Sequence, residues 1–225
     1  SRSMITRLMI WVVSACNLNC KCCSQRHTRQ KHDGYQMSLD EIEYIVNSCQ
    51  RRGLYFDVIE LTGGEPSLWK NLEYGVRRFG YICDSVTLVT NGNNPERIKA
   101  LGLKEWVVSA SQATQEQLDA YAGTPAMYNT HSHKKPPEEP LNNVLPADCC
   151  VALTPDSACP QNLIMYLKNK VYYCCNAFAL SEFAGEEPGI VCSFEDDFMV
   201  LFSDKTYDKD ICRYCICNHN VWNRI

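Results

Sequence analysis

The sequence predicts an α/β fold in which parallel strands alternate with helices. Three observations carry that prediction. Short apolar runs rich in β-branched residues recur along the chain, beginning with Leu8 to Val13. Amphipathic stretches lie between them, opened by cap residues and in one case closed by a glycine, Gly53. The residues with evident chemistry follow the C-terminal ends of the runs, where α/β folds carry their functional loops.

The chain has 225 residues, 45% of them hydrophobic, enough for one domain with a real core and a small appendage. A formal net charge of −4 makes no electrostatic case for nucleic acid or an anionic membrane as partner. No run of about 18 apolar residues is present, so no membrane-spanning helix is expected. Ser1 to Ser3 read as an added leader before a start at Met4, with no secretory apolar region behind them, and a cytoplasmic location is expected. Fifteen cysteines stand out. Their odd number, the chain length and the strand–helix pattern argue against a secreted disulfide protein. In a reducing compartment, clustered cysteine means metal or catalysis.

Leu8 to Ser14 is the first strand, and it runs into Cys16-Asn-Leu-Asn-Cys20-Lys-Cys22-Cys23. Three thiolates spaced C-x3-C-x2-C on one loop can hold three irons of a cubane and leave the fourth iron open to a small molecule. A zinc knuckle or a disulfide loop is the alternative, although zinc sites normally pair two C-x2-C units. The basic stretch Arg26, His27, Arg29, Lys31 and His32 reads as a loop, either solvated or contacting an anion near the open iron. Ser38-Leu-Asp-Glu41 reads as a capping box, opening a helix that closes at Gly53.

Phe56 to Leu61 is the second strand and ends in Thr62-Gly63-Gly64-Glu65-Pro66. Glycines there would let the backbone approach a ligand, and Glu65 offers a carboxylate to a cation. There follow a helix from Leu68 to Phe79, a third strand from Ser85 to Thr90 ending in Asn91-Gly92, a short helix from Pro95 to Leu101, and a fourth strand from Glu105 to Ala110. Thr114 to Gln117 is a second capping box, for a helix reaching Ala122. Gly123 to Asp148 is proline-rich and charged and reads as a loop, either disordered or covering the site, and Asp148 to Thr154 as the fifth strand. Such βα units with right-handed crossovers make a partial TIM-like barrel over residues 4–155, open on one side.

The pattern changes over residues 156–225. Cys159 and Cys174 flank a β-hairpin, Leu163 to Leu167 and Val171 to Tyr173 around Lys168-Asn169-Lys170, and Cys212-Arg-Tyr-Cys215-Ile-Cys217 follows much later. Cysteines so arranged can close four-coordinate on one metal, a structural zinc being the plain alternative.

Together these features resemble the radical S-adenosylmethionine (radical SAM) superfamily. The resemblance rests on C-x3-C-x2-C after a first strand, on Gly63-Gly64-Glu65-Pro66 one strand–helix unit later, and on Thr90-Asn91-Gly92. It implies that Cys16, Cys20 and Cys23 hold a [4Fe-4S] cluster whose open iron chelates SAM. Reductive cleavage of SAM then gives methionine and a 5′-deoxyadenosyl radical, which abstracts hydrogen from substrate. Gly63, Gly64, Glu65 and Pro66 are implied to hold the methionine ammonium, and Asn91 and Ser109 to contact the cofactor, Ser109 at the ribose. An aromatic residue usually precedes the third cysteine of the family; Cys22 stands there and rivals Cys23 as ligand, with the spacing favouring Cys23. Ser111 and Gln112 likewise replace the family's usual Asp and Gly after the fourth strand.

The C-terminal cysteines resemble the auxiliary-cluster module called twitch in its short form and SPASM in its long form. That implies a second, auxiliary [4Fe-4S] cluster on Cys159, Cys174, Cys212 and Cys215, with Cys175 and Cys217 as alternates. The expected activity is hydrogen abstraction from a small polar substrate, a sugar or nucleotide derivative; the auxiliary cluster either takes the second electron of a two-electron oxidation, holds the substrate, or is structural. An electron donor such as flavodoxin or ferredoxin is implied. The alternatives are modification of a ribosomal peptide, disfavoured because no peptide-recognition domain precedes Met4, and a metal-binding structural protein that never cleaves SAM.

Overall fold

The computed structural model describes residues 7–19, 25–109, 114–128, 163–172 and 191–193. In chain order the elements are β1 (Arg7–Val13), α1 (Arg26–Lys31), α2 (Leu39–Arg52), β2 (Phe56–Gly63), α3 (Leu72–Phe79), β3 (Cys83–Thr90), α4 (Pro95–Ala100), β4 (Trp106–Val108), α5 (Gln115–Ala120), β5 (Ala126–Tyr128), β6 (Leu163–Leu167), β7 (Lys170–Tyr172) and β8 (Val191–Cys192). They form one sheet of order β5-β4-β3-β2-β1-β6-β7-β8. β1 to β5 are parallel neighbours, β6 is parallel to β1 on its other flank, and β7 and β8 are antiparallel. The expected α/β fold, a partial barrel of parallel βα units, is therefore present. Consecutive residues Ile10 to Val13 of β1 are all buried, so both faces of the strand are covered there, which is why its sequence is an unbroken apolar run rather than an alternating one.

The helix layer follows from local sequence. Ile42, Ile45, Val46 and Cys49 recur at helical spacing on α2 and are fully buried, as are Leu72 and Phe79 on α3. The Ser38 hydroxyl accepts from Glu41 N at 3.2 Å, and Gly53 closes α2 in the left-handed region at φ 64°. Glu41 puts its carboxylate elsewhere: Oε1 accepts from the hydroxyls of Tyr35 (2.9 Å) and Tyr166 (3.0 Å), which ties α2 to β6. At α5 both halves of the capping box form, between Thr114 and Gln117.

Several expectations are corrected. The basic stretch read as a loop contains α1, a short helix with no side-chain cap. It is anchored by tertiary contacts instead: Arg29 Nε donates to Ser14 O at 3.0 Å and Nη1 to Leu18 O at 3.5 Å. β2 runs on to Gly63 because its pairing with β1 continues past an irregularity to Val13. The helix expected from Leu68 begins at Leu72, after a 3-10 turn over Pro66–Leu68. Ala126–Tyr128, placed in a loop, is β5, a strand too short to show periodicity and formed by parallel pairing with β4. The strand expected over Asp148 to Thr154 lies outside the described residues.

The hairpin of β6 and β7 is present. Lys168 and Asn169 have φ 48° and 64°, two successive left-handed residues that suit the twist of a tight hairpin. β6 lies against β1 with Leu8 opposite Ile164 and Ile10 opposite Tyr166, so the sheet is continuous across the boundary expected at residues 155/156.

Candidate active site

The C-terminal ends of β1 to β4 meet in one rim, and the rim is bolted together by backbone. Gly64 N donates to Val13 O at 2.6 Å and Glu65 N to Ala15 O at 2.8 Å. A Cβ added to Gly63 would lie 2.3 Å from Val13 O, and one added to Gly64 2.1 Å from Ala15 O. Both glycines are thus required by contact between the end of β2 and the loop that carries Cys16. The close approach that their missing side chains permit is made here to the protein's own backbone.

Glu65 is fully buried. Oε1 accepts from Ser67 N at 2.9 Å and from Thr90 Oγ1 at 2.7 Å, and Oε2 accepts from Asn91 N at 2.7 Å. Thr90 Oγ1 accepts in turn from Gly92 N at 3.1 Å. Three donors compensate the burial of a carboxylate, and they make it the joint between the ends of β2 and β3. The Glu65 carboxylate is engaged by the protein's own donors. Pro66 begins the 3-10 turn, whose Ser67 carbonyl accepts from Arg97 Nη1 at 2.7 Å.

Asn91 carries the connection on to the cysteine loop. Its Nδ2 donates to Asn17 Oδ1 at 2.8 Å and to Cys16 Sγ at 3.7 Å, and its Oδ1 accepts from Asn93 N at 3.0 Å. Leu18 N is a second donor to Cys16 Sγ, at 3.5 Å. Donors converging on a sulfur favour its thiolate, the form that binds a metal, so the residues around Cys16 fit a cluster ligand. Cys49 and Cys83 are the opposite case. Burial pushes their thiols up to about 12 and about 11, and both pack in the core as neutral side chains. Ser109 sits on the same rim, its N donating to Thr90 O at 2.8 Å. Cys20 and Cys23, and Cys159, Cys174, Cys212 and Cys215, lie outside the described residues.

Two braces of the rim were not singled out from sequence. Arg29 was noted only within a basic stretch, and Arg97 only as a helical residue. Nothing local marks either one, because the carbonyls they brace, and the Glu73 carboxylate that also holds Arg97, are brought close by the fold.

A family model described as the radical SAM superfamily matches residues 12–133, just over half the chain. The chain belongs to the radical SAM superfamily. Members of that family use a [4Fe-4S] cluster and SAM, and the relatives found are enzymes. The chain is 41% identical over 101 residues to a GTP 3',8-cyclase of Pelotomaculum thermopropionicum, a match covering 43% of this chain and 30% of that protein. It is 30% identical over 129 residues to an AdoMet-dependent heme synthase of Methanosarcina barkeri, covering 54% of this chain and 36% of that one. The chain thus matches only about a third of the length of these curated relatives. Among solved structures, BtrN in complex with AdoMet and 2-DOIA superposes with a TM-score of 0.60 over 92% of this chain and 84% of BtrN, at 18% identity. That likeness shows the same fold. Among the described residues no helix is long and apolar enough to cross a membrane.

Proposed function

We propose that Cys16, Cys20 and Cys23 hold a [4Fe-4S] cluster. In this reading the rim around Gly63, Gly64, Glu65, Pro66, Asn91 and Ser109 forms the SAM site of an enzyme acting on a small polar substrate, a sugar or nucleotide derivative. One observation carries the reading: Glu65 and Asn91 link the Gly-Gly-Glu-Pro turn, the end of β3 and the Cys16 loop into a single hydrogen-bonded unit. When bound, the cluster supplies the electron that cleaves SAM to a 5′-deoxyadenosyl radical. The protein's share is to fix the loop. Gly63 and Gly64 set its distance from β2, Glu65 braces the turn against β3, and Arg29 clamps the carbonyls of Ser14 and Leu18. The names of the relatives, one for GTP and one for heme, support a small-molecule substrate.

In the same reading residues 4–155 are the barrel and residues 156–225 an auxiliary module. Cys159, Cys174, Cys212 and Cys215 there hold a second [4Fe-4S] cluster that takes one electron of a two-electron oxidation, and flavodoxin or ferredoxin serves as donor. The seat of β6 beside β1 supports this, because it joins the hairpin that Cys159 and Cys174 flank in sequence to the sheet of the barrel.

The test is anaerobic reconstitution followed by reduction in the presence of SAM. About eight irons per chain, no stoichiometric zinc and release of 5′-deoxyadenosine are expected. Replacing Cys16, Cys20 and Cys23 together by Ala should remove about four irons and all 5′-deoxyadenosine. Formation of 5′-deoxyadenosine by that triple variant defeats the assignment. Replacing Cys212 and Cys215 by Ala should also remove about four irons, yet spare SAM cleavage. About four irons with one zinc in the unaltered protein would leave a radical enzyme with a zinc-braced tail.

A further inference from the structure

We infer that Asn91 is a positioning residue that raises the reduction potential of the SAM-binding cluster by donating its amide N–H to the sulfur of Cys16. The inference rests on Cys16 being a cluster ligand.

Asn91 comes from the end of β3, 75 residues from Cys16 in sequence, and its Nδ2 lies 3.7 Å from Cys16 Sγ. The orientation of the amide is decided by its other contacts. Its oxygen faces Asn93 N–H at 3.0 Å, which only an acceptor can satisfy, so the NH2 end faces the cysteine loop. Of the two amide hydrogens, one serves Asn17 Oδ1 at 2.8 Å and the other is left for the sulfur. The backbone of Asn91 is held independently, its N donating to the buried Glu65 carboxylate at 2.7 Å. The side chain therefore points from a fixed base.

The physical consequence is electrostatic. Reduction adds negative charge to a cluster and its thiolate sulfurs, and an N–H dipole aimed at sulfur stabilises the more negative state. Leu18 N supplies one such dipole from the loop itself, and Asn91 adds a second from a different strand. A cluster that must transfer an electron to SAM is sensitive to this setting.

The experiment titrates the cluster-loaded full chain and two variants anaerobically. The midpoint is read from the part of the electron paramagnetic resonance signal that changes on adding SAM, which separates it from an auxiliary centre. Asn91→Leu keeps the size and removes the donor. Asn91→Asp keeps the acceptor for Asn93 N–H but presents an anion to the sulfur. Iron content should match the unaltered protein in both. The ratio of reduced to oxidised cluster at a fixed potential should fall roughly tenfold in Asn91→Leu, a shift of about 59 mV for one electron, and further in Asn91→Asp. An unmoved or raised midpoint in either cluster-bearing variant overturns the inference. So does loss of the cluster from both, which would make Asn91 a structural brace. If one variant alone keeps its cluster, its midpoint decides. Cys16→Ala is the separate check: full iron content and an unchanged SAM-sensitive signal there would overturn the reading of Cys16 on which the inference stands.

Discussion

The helix layer of α2 and α3 and the rim at the C-terminal ends of β1 to β4 are both buried, but different forces hold them. In the helix layer Ile42, Ile45, Val46, Leu72 and Phe79 exclude water without directional bonds, and the ion pair between the two helices lies at the surface. There Arg78 grips Glu43 through two bonds of 2.7 Å, and the Tyr74 hydroxyl donates to the same carboxylate at 2.7 Å. The rim puts its polar groups inside. Glu65, Thr90 and Ser67 are buried and satisfied by one another, and two glycines are pressed onto the backbone of the Cys16 loop. Apolar packing adapts to small changes of shape. A buried carboxylate with three donors does not, because each lost donor or acceptor leaves a desolvated partner behind. The helix layer supplies stability, and the rim commits part of it to geometry around one sulfur.

Glycine substitutions should separate the two regions most sharply. In Gly64→Ala the new Cβ would meet Ala15 O at 2.1 Å and Ser14 O at 2.5 Å, so β2 and the cysteine loop must part. A loss of about 3 kcal/mol in urea denaturation is expected, together with poor iron loading. Retention of both stability and cluster would show that the rim yields as easily as the helix layer.

Glu65→Gln comes next. The amide keeps one acceptor oxygen and turns an NH2 toward donors, so at least one of Ser67 N, Thr90 Oγ1 and Asn91 N loses its partner. Chemical denaturation should show a cost of about 2 kcal/mol. Iron loading should suffer less than in Gly64→Ala, because the backbone bonds to Val13 and Ala15 survive.

Gly53→Ala is the matching change in the helix layer. The residue sits at φ 64° with nothing within 4 Å of an added Cβ, so the cost is backbone strain alone, about 1 kcal/mol, with a full complement of iron. A cluster defect in this variant would mean that the two regions are coupled.

The smallest effect belongs to the surface ion pair. Arg78, and then the Tyr74 hydroxyl, hold the Glu43 carboxyl down at about 2. A carboxylate depressed in the folded state stabilises above its unfolded pKa, here about 4.5, and loses that contribution as pH falls toward 2. Glu43→Gln should cost under about 1 kcal/mol at neutral pH. The difference from the unaltered protein should close in denaturation curves taken from pH 5 down to pH 2, and a gap that persists at the acid end would point to packing instead.

The sequence by itself determined whatever is settled within a few residues. Ser38 and Gly53 bound α2, and Thr114 with Gln117 opens α5, because caps bond to backbone three or four positions away. The apolar run of β1, the cysteine spacing after it and the hairpin at Lys168-Asn169 were legible for the same reason. Only the tertiary structure decided what stands opposite. The contacts of Gly63 and Gly64 with Val13 and Ala15, and the bonds of Glu65 with Thr90 and Asn91, join segments that the sequence does not mark as neighbours. The helix α1 and the three-residue β5 depend on contacts with Ser14, Leu18 and β4 that local propensity does not contain. β6 lies against β1 across some 150 residues of chain, a pairing fixed by the sheet and written in no local pattern.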